Sequence, residues 1–345
     1  MTDAMRRRMA GGRFALAEVI GYRWHADHGA LASPRRLGAF VPAVSIVLAT
    51  HDDARWLDGA IASVRRQTLS DWELLVADDG STDGTRDVVA RYADDRRIRY
   101  LPGPHLERAA ARNRGFAAAQ SELIGFLDAD DRWQPAKLER QVAALAAAPD
   151  AALCYTIARF VDADDTPLEL RKPPRAIGGE VFPALMRGNF IILASVVARR
   201  RCVVEAGGFD ETLPAYGCED WDLWLRLARH HPVAVVDEEL TLYRRHDGNT
   251  GVDALLRSGL AVIDRRYADP ATEAAAHLSR AAARARLRWY LAGAIASAHR
   301  AAAVPLVLEA LREAPASALG RPALGALAAL LLPRAAERAL RRLPL

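Results

Sequence analysis

The chain has 345 residues and 51% of them are hydrophobic, so it can bury one large core or two ordinary ones. Its formal net charge is only +4, which gives no indication of a nucleic-acid-binding protein, and no nucleic-acid partner is expected. The three cysteines form no CxxC pair and have no histidine at ligand spacing, so the sequence indicates neither a disulfide framework nor a zinc site.

Residues 1–40 contain arginines and glycines without a sustained period. We expect an N-terminal extension there, with one short helix around residues 13–24. It lacks the apolar core of a signal peptide. The longest apolar run, residues 323–332, falls short of the roughly 20 residues that a membrane span needs. These features predict a cytoplasmic protein without an integral membrane segment.

From Val44 onwards, short apolar runs rich in β-branched residues alternate with segments of helical periodicity. Alternating strands and helices in short units predict βαβ crossovers and therefore a parallel sheet. The predicted strands are residues 44–49, 72–77, 98–101 and 123–127, and the predicted helices are residues 56–64, 85–92, 107–120 and a segment that begins at Pro135.

After residue 151 the apolar runs shorten and proline and glycine become frequent, which predicts a mixed sheet with loops that complete a site. Beyond Gly251 the chain is dominated by alanine, leucine and arginine, which is typical of helices. We therefore divide the chain into an N-terminal extension (1–40), an α/β domain (41–250) and a helical C-terminal region (251–345).

Carboxylates directly follow two of the predicted strands. Asp78 and Asp79 come after the second strand, and Asp128 and Asp130 come at the end of the fourth. Ligands of open α/β sheets bind at the carboxyl ends of the strands, so a binding site is expected at this edge. Because alternate side chains of an extended segment share a face, Asp128 and Asp130 should point at one site. Their hard oxygen ligands suit Mg²⁺ or Mn²⁺, whereas Asp78 is better explained as a turn cap.

A second acidic pair, Glu219 and Asp220, comes immediately before an amphipathic run that contains Trp221 and Trp224. We expect the pair in the first turn of a helix, where the helix dipole favours ionised carboxylates. A general base must be ionised, so this position suits catalysis by Asp220. The alternative is that Asp220 only caps the helix. The two tryptophans fit either the core or a platform for stacking a sugar, and core is the safer interpretation for Trp224.

Together these segments closely resemble the family 2 glycosyltransferases. The resemblance covers about residues 43–250 and rests on motifs that match in order and spacing as well as in composition. They are Val44–Thr50, Trp72–Thr85, Ala111–Gly115, Phe126–Asp131, Gly217–Leu227 and Tyr243–His246. The fold that it implies is of the GT-A type: an α/β fold with a mostly parallel, Rossmann-like central sheet flanked by helices, here followed by a C-terminal helical region.

The resemblance also implies an activity, namely inverting transfer of a sugar from a nucleoside-diphosphate sugar to an acceptor hydroxyl, with a divalent metal (Mg²⁺ or Mn²⁺) on the leaving diphosphate. Within this scheme Asp79 and Thr50 would contact the base or ribose, and Arg112 would lie near the diphosphate. The implied site comprises Thr50, Asp79, Arg112, Asp128 and Glu219 for nucleotide-sugar binding, Asp130 and His246 for the metal, and Asp220 as catalytic base.

The acceptor implied is a glycan, a lipid-linked sugar or another polysaccharide precursor of the cell envelope. The arginine- and leucine-rich stretch 284–291 either packs on the catalytic domain or lies on an anionic membrane surface, which would make the protein peripheral at the inner face of the membrane. Two other classes are alternatives for this sequence: a nucleotidyltransferase that makes a sugar nucleotide, and a noncatalytic sugar-nucleotide-binding protein. Thr50–Asp53 in place of a glycine-rich loop argues against the first, and intact Asp79, Asp130 and Asp220 argue against the second.

Overall fold

The computed structural model describes residues 41–168, 176–214, 217–296 and 299–331. The short helix predicted around residues 13–24 lies outside these ranges. The strands are β1 (Val44–Thr50), β2 (Trp72–Asp78), β3 (Ile98–Pro102), β4 (Leu123–Asp128), β5 (Arg132–Trp133), β6 (Leu153–Val161), β7 (Val196–Arg199) and β8 (Val233–Arg244). The helices are α1 (Ala54–Arg65), α2 (Thr85–Ala90), α3 (Glu107–Ala118), α4 (Lys137–Ala147), α5 (Phe182–Leu185), α6 (Arg200–Ala206), α7 (Glu219–Ala228), α8 (Val252–Arg266), α9 (Ala271–Ala276), α10 (Arg280–Ile295), α11 (Arg300–Glu313) and α12 (Arg321–Leu331), with 3₁₀ turns at Leu193–Ser195 and Pro315–Leu319.

The strands form one eight-stranded sheet in the order β3-β2-β1-β4-β7-β6-β8-β5. Strands β1 to β4 pair in parallel, as the alternation of strands and helices predicts. In the second half β7 is antiparallel to both β4 and β6, while β6 and β8 are parallel. The prediction of a mixed second half is therefore confirmed, and the parallel half of the sheet aligns the carboxyl ends of β1, β2 and β4 at one edge.

The two faces of the sheet bury separate apolar clusters, which follows from the two-residue period of a strand. Ile46 and Leu48 of β1 pack on one face with the apolar side of α1, while Val47 between them packs on the other face with Phe116 of α3. The approach of α3 is close: a Cβ on Gly115 would lie 2.6 Å from Val47 Cγ1. Glycine at this position therefore lets α3 lie against β1.

Helices α8 to α12 follow the sheet, and those from α10 onwards form a third apolar cluster around Trp289, which is 1% exposed. Arg284 and Arg288 of α10 pair with acidic side chains of α11, at 2.7 Å from Glu313 and 2.8 Å from Glu309 respectively. Most of the stretch 284–291 thus packs against other helices of the C-terminal region. Among the helices of the described ranges, none is both long and apolar enough to cross a membrane.

Candidate active site

A cavity of about 360 Å³ opens at the carboxyl ends of β1, β2 and β4. The parallel pairing of these strands brings their terminal side chains to the same edge, as the sequence argument expected. Six predicted site residues line the cavity: Thr50, Asp79, Arg112, Asp128, Asp130 and His246. Glu219 and Asp220 do not belong to its lining and lie behind Arg112.

Asp128 and Asp130 both reach the cavity, but not through the extended segment that the sequence argument assumed. Strand β4 ends at Asp128, and the next residues form a turn in which the Asp131 amide donates to the Asp128 carbonyl at 3.1 Å. The assumption failed because the alternation of side chains ends where the strand ends. The turn nevertheless brings the two carboxylates to one side of the sheet edge.

Asp130 and His246 meet at the cavity wall, where His246 Nε2 lies 3.0 Å from Asp130 Oδ2. Burial and the nearby Asp128 carboxylate raise the pKa of Asp130. Burial and Asp130 likewise raise the pKa of Asp53, to about 6. Three carboxylates thus crowd one partly buried space, with an imidazole beside them. Carboxylate oxygens and an imidazole nitrogen are ligands for Mg²⁺ or Mn²⁺, and a divalent cation would relieve the repulsion, so these residues fit a metal.

Asp79 is held by the loop between β3 and α3. Its Oδ1 accepts a hydrogen bond from the Leu106 amide at 2.9 Å, and its Oδ2 lies 2.9 Å from His105 Nδ1. His51 stacks on His105 with ring centroids 4.2 Å apart, and His51 Nδ1 lies 2.9 Å from the Asp79 carbonyl. The cavity therefore ends in a carboxylate flanked by two imidazoles.

Asp78 has a different role from Asp79. Its Oδ1 accepts from the Ser81 amide at 2.9 Å, and its Oδ2 accepts from the Tyr100 hydroxyl. These contacts stabilise the turn after β2, as the turn-cap interpretation predicts. Asp78 thus supports the loop and Asp79 faces the cavity.

Arg112 is a buried bridge between the two halves of the site. It is 3% exposed, and its two terminal nitrogens donate to Glu219 Oε1 at 2.6 Å and to Asp128 Oδ1 at 2.8 Å. Burial disfavours its charge, but the two carboxylates outweigh burial and raise the pKa of Arg112. In return, burial would raise the pKa of Glu219, but Arg112 and the backbone amides of Gly217 and Glu219 together lower it. One guanidinium therefore fixes α7 against the end of β4.

Asp220 occupies the first turn of α7, as predicted, next to Glu219. Its Oδ2 accepts from Asn189 Nδ2 at 3.1 Å and its Oδ1 accepts from the Trp221 amide at 2.6 Å. Burial and the adjacent Glu219 carboxylate raise the pKa of Asp220 to about 7. The helix dipole, on which the sequence prediction relied, favours ionisation, but burial and Glu219 outweigh it, and of these two causes only burial is invisible in a local pattern.

The tryptophans of α7 belong to the core. Trp224 is 0% exposed and Trp221 is 3% exposed, with its Nε1 donating to the Leu185 carbonyl at 2.8 Å. Neither ring is available for stacking on a sugar. They anchor α7 so that its first turn faces the loop after α5.

Residues 45–194 match a family model described as glycosyl transferase family 2. This segment is a family 2 glycosyltransferase domain. One relative of the domain is the Escherichia coli protein named UDP-Glc:alpha-D-GlcNAc-diphosphoundecaprenol beta-1,3-glucosyltransferase WfgD, which is 41% identical over 100 residues, or 29% of this chain and 39% of that protein. The aligned segments span between 18% and 51% of the length of four curated relatives.

Two solved structures share the fold of the glycosyltransferase domain. The structure of Staphylococcus aureus TarS 1-349 in complex with UDP-GlcNAc matches with a TM-score of 0.57 at 14% identity, covering 87% of this chain and 91% of that one. The mannosyltransferase PcManGT from Pyrobaculum calidifontis, in complex with GDP-Man and Mn²⁺, matches with a TM-score of 0.54 at 17% identity, covering 95% of both chains. The predicted GT-A fold is confirmed.

Several residues of the glycosyltransferase site had no role in the sequence argument. Asp53 lies shortly after the end of β1, as Asp79 lies after the end of β2. The expectation that ligands bind at the carboxyl ends of the strands could therefore have identified it. Glu107 has a φ of 76°, which is strained for a residue with a side chain, and it lines the cavity. Asn189 carried no sequence signal, because it comes from a loop. Elsewhere, ligand atoms of Cys202, Glu205 and His231 lie within 4.8 Å of one another, a grouping that their spacing in the sequence did not indicate.

Proposed function

We propose that this chain transfers a single sugar from a nucleoside-diphosphate sugar to an acceptor hydroxyl, with inversion at the anomeric carbon. The observation that carries the proposal is the Arg112 bridge. Arg112 joins Asp128 of the cavity to Glu219. The residue after Glu219 is Asp220, whose carboxyl group has a pKa of about 7. A pocket for the donor and a group able to accept a proton are thereby held together by one buried cation.

The cavity suits the nucleotide part of a donor. Thr50 and Asp79 would contact the base or ribose, and Asp128 would contact the ribose or the donor sugar, because carboxylates accept from the amide and hydroxyl donors of these groups. Arg112 would favour the negative diphosphate while keeping its own carboxylate partners. UDP-Glc, UDP-GlcNAc and GDP-Man occur in the names of the similar proteins and structures, and this range supports a nucleoside-diphosphate sugar without choosing the base.

The metal-binding residues in this proposal are Asp130 and His246. When bound there, Mg²⁺ or Mn²⁺ would act as a Lewis acid that neutralises charge on the departing nucleoside diphosphate. The crowding of Asp53, Asp128 and Asp130 supports the assignment, because a divalent cation would offset the repulsion that raises the pKa values of Asp53 and Asp130. The similar mannosyltransferase contains Mn²⁺.

Asp220 would act as the general base. As the acceptor oxygen forms a bond to the anomeric carbon, the bond from that carbon to the diphosphate breaks and the hydroxyl proton moves to Asp220. A pKa of about 7 matches this task, because a base is most effective when its pKa lies near the working pH. A dedicated base and a single displacement lead to inversion.

For the acceptor, we propose a glycan or a lipid-linked sugar of the cell envelope. The support is the name of the similar E. coli protein, which includes a diphosphoundecaprenol. A lipid-linked acceptor would bring the protein to the inner face of the membrane. We further propose that residues 41–250 form the catalytic unit and that residues 251–345 support it.

The proposal is tested with a panel of nucleoside-diphosphate sugars and Mn²⁺ or Mg²⁺, scoring release of the nucleoside diphosphate. Asp220→Asn should lower kcat by about 10²-fold to 10⁴-fold, which is the usual contribution of a general base. The matched control is Asp94→Asn, because Asp94 is exposed in the turn that follows α2 and does not belong to the cavity lining. Equal turnover by wild type and Asp220→Asn would refute the assigned base. A product with the anomeric configuration of the donor, read by NMR, would refute inversion.

A further inference from the structure

A second, open cavity lies at the edge of the sheet opposite the candidate active site. Its register shows this: Arg199, the last residue of β7, pairs with Leu123 at the start of β4, whereas the first cavity lies at the end of β4. Strands β6 and β8 begin at the same edge, where Leu153 pairs with Val233. The residues that line this second cavity are Asp150, Arg201, Glu205, His230, His231 and Pro232.

Three side chains with different metal-binding atoms meet at the second cavity. Cys202 Sγ, a carboxylate oxygen of Glu205 and a ring nitrogen of His231 all lie within 4.8 Å of one another. Zn²⁺ binds such atoms at about 2.0–2.3 Å, so two ligands of one tetrahedral ion are roughly 3.5 Å apart. Side-chain rotations that shorten the present separations by about 1 Å at most are therefore enough to place all three atoms around one ion.

The three ligands come from two segments that meet only in the folded chain. Cys202 and Glu205 are three positions apart on α6, so their side chains lie on one face of that helix. His231 lies in the turn between α7 and β8, where its amide donates to the Leu227 carbonyl at 3.0 Å. A metal ion held by all three would join α6 to this turn.

The described part of the chain gives these side chains few other tasks. Cys202 is a free cysteine and only 2% exposed. The side chains of Glu205 and His231 take part in no hydrogen bond and no ion pair with any residue of the described ranges. Their ligand atoms therefore remain free to bind an ion.

The types of ligand atom select a particular class of ion. Thiolate sulfur and imidazole nitrogen suit Zn²⁺, whereas Mg²⁺ and Ca²⁺ take oxygen ligands. The Cys202 thiolate and the carboxylates of Glu205 and Asp150 bring negative charge to the cavity, and Arg201 offsets part of it. The charge that remains is matched by a divalent cation.

We propose that Cys202, Glu205 and His231 bind a structural Zn²⁺ ion that joins α6 to the turn before β8. Asp150 and His230 line the same cavity and are the candidates for the fourth ligand. On binding, the Cys202 thiol releases its proton to water, because the thiolate is the form that binds zinc. The proposal goes beyond sugar transfer and does not depend on it.

The first test uses Co²⁺ in place of zinc on protein treated with EDTA. Cobalt bound to a thiolate has a charge-transfer absorption band in the near ultraviolet that oxygen and nitrogen ligands do not give. Wild type should develop this band, and added Zn²⁺ should remove it. The residues that line the candidate active site include no cysteine, so Asp130→Ala should keep the band and Cys202→Ser should lose it. A wild-type protein without the band would overturn the proposal.

The second test measures Zn²⁺ affinity by competition with a chromophoric chelator. Loss of a hydrogen-bond partner of a metal ligand typically costs about 10–100-fold in affinity, so Cys202→Ser, Glu205→Gln and His231→Gln should each cost about 100-fold or more. Glu205 is exposed, so its variant decides the outcome if Cys202→Ser does not fold. Cys218→Ser is the matched control, because Cys218 is also a buried free cysteine but does not belong to the three-residue grouping. Unchanged affinity in the three variants, or an equal loss in the control, would contradict the proposed ligands.

Thermal melting separates a metal ion from an anion as the occupant of the second cavity. A ligand that binds only the folded state raises the melting temperature as its concentration increases, so Zn²⁺ should stabilise wild type and not Cys202→Ser. Arg201 and the two histidines also suit an anion. Stabilisation by inorganic phosphate and none by Zn²⁺ would assign the cavity to an anion and overturn the proposal. None of these measurements uses a sugar donor, so a failure of the proposed function leaves their outcome unaffected.

Discussion

Replacing Arg112 with methionine keeps the aliphatic stem of this side chain and removes the charge that joins the two halves of the site. Glu219, which is 5% exposed, and Asp128 then lose their common partner. Breaking a buried ion pair by removing one partner costs about 3–5 kcal/mol. The Asp128 side chain is 28% exposed and regains some hydration, so we expect the lower end, about 3 kcal/mol. At about 2–4 °C per kcal/mol, the melting temperature should fall by about 6–12 °C.

The assay is urea unfolding followed by tryptophan fluorescence, with thermal melting as a second measurement. The matched control is Arg91→Met, whose ion pair with Asp58 has side chains 60% and 53% exposed and should contribute less than about 1 kcal/mol. The double variant Arg112→Met/Glu219→Gln should be more stable than Arg112→Met alone, because the orphaned buried charge is gone. Stability of Arg112→Met within about 1 kcal/mol of wild type would refute the bridge as the element that holds α7 to β4.

Three further predictions concern the base, the metal and the packing of α3. Because Asp220 must be ionised to accept a proton, kcat/KM should fall about tenfold per pH unit below its pKa of about 7 and level off above it; a flat profile from pH 5.5 to 8 contradicts this. Asp130→Ala should abolish stimulation by Mn²⁺, measured as donor turnover against metal concentration, whereas retained stimulation rejects the ligand assignment. Gly115→Ala should lower stability by about 1–3 kcal/mol, since its Cβ would meet Val47, while Gly325→Ala in open space on α12 should raise it by about 0.5–1 kcal/mol in the same urea assay.

Local pattern was enough for the first half of the fold. The run Val44–Thr50 alternates between two buried faces, and the helices between strands show apolar residues at helical spacing, so both types of element follow from periods that neighbouring residues define. The carboxyl-end rule then placed Asp79 and Asp128 at one edge, because parallel strands end together. For these residues the sequence carried both the element and its direction.

Contacts between distant segments required the tertiary structure. Arg112 and Glu219 are 107 positions apart, and nothing in either motif indicates that one guanidinium binds both Glu219 and Asp128. The raised pKa of Asp220 also required the tertiary structure, since its largest cause is burial, whereas the adjacent Glu219 carboxylate is visible in the sequence. A local pattern defines periods and the ends of elements. Burial and ion pairing depend on which elements pack together, and that is fixed only when the chain has folded.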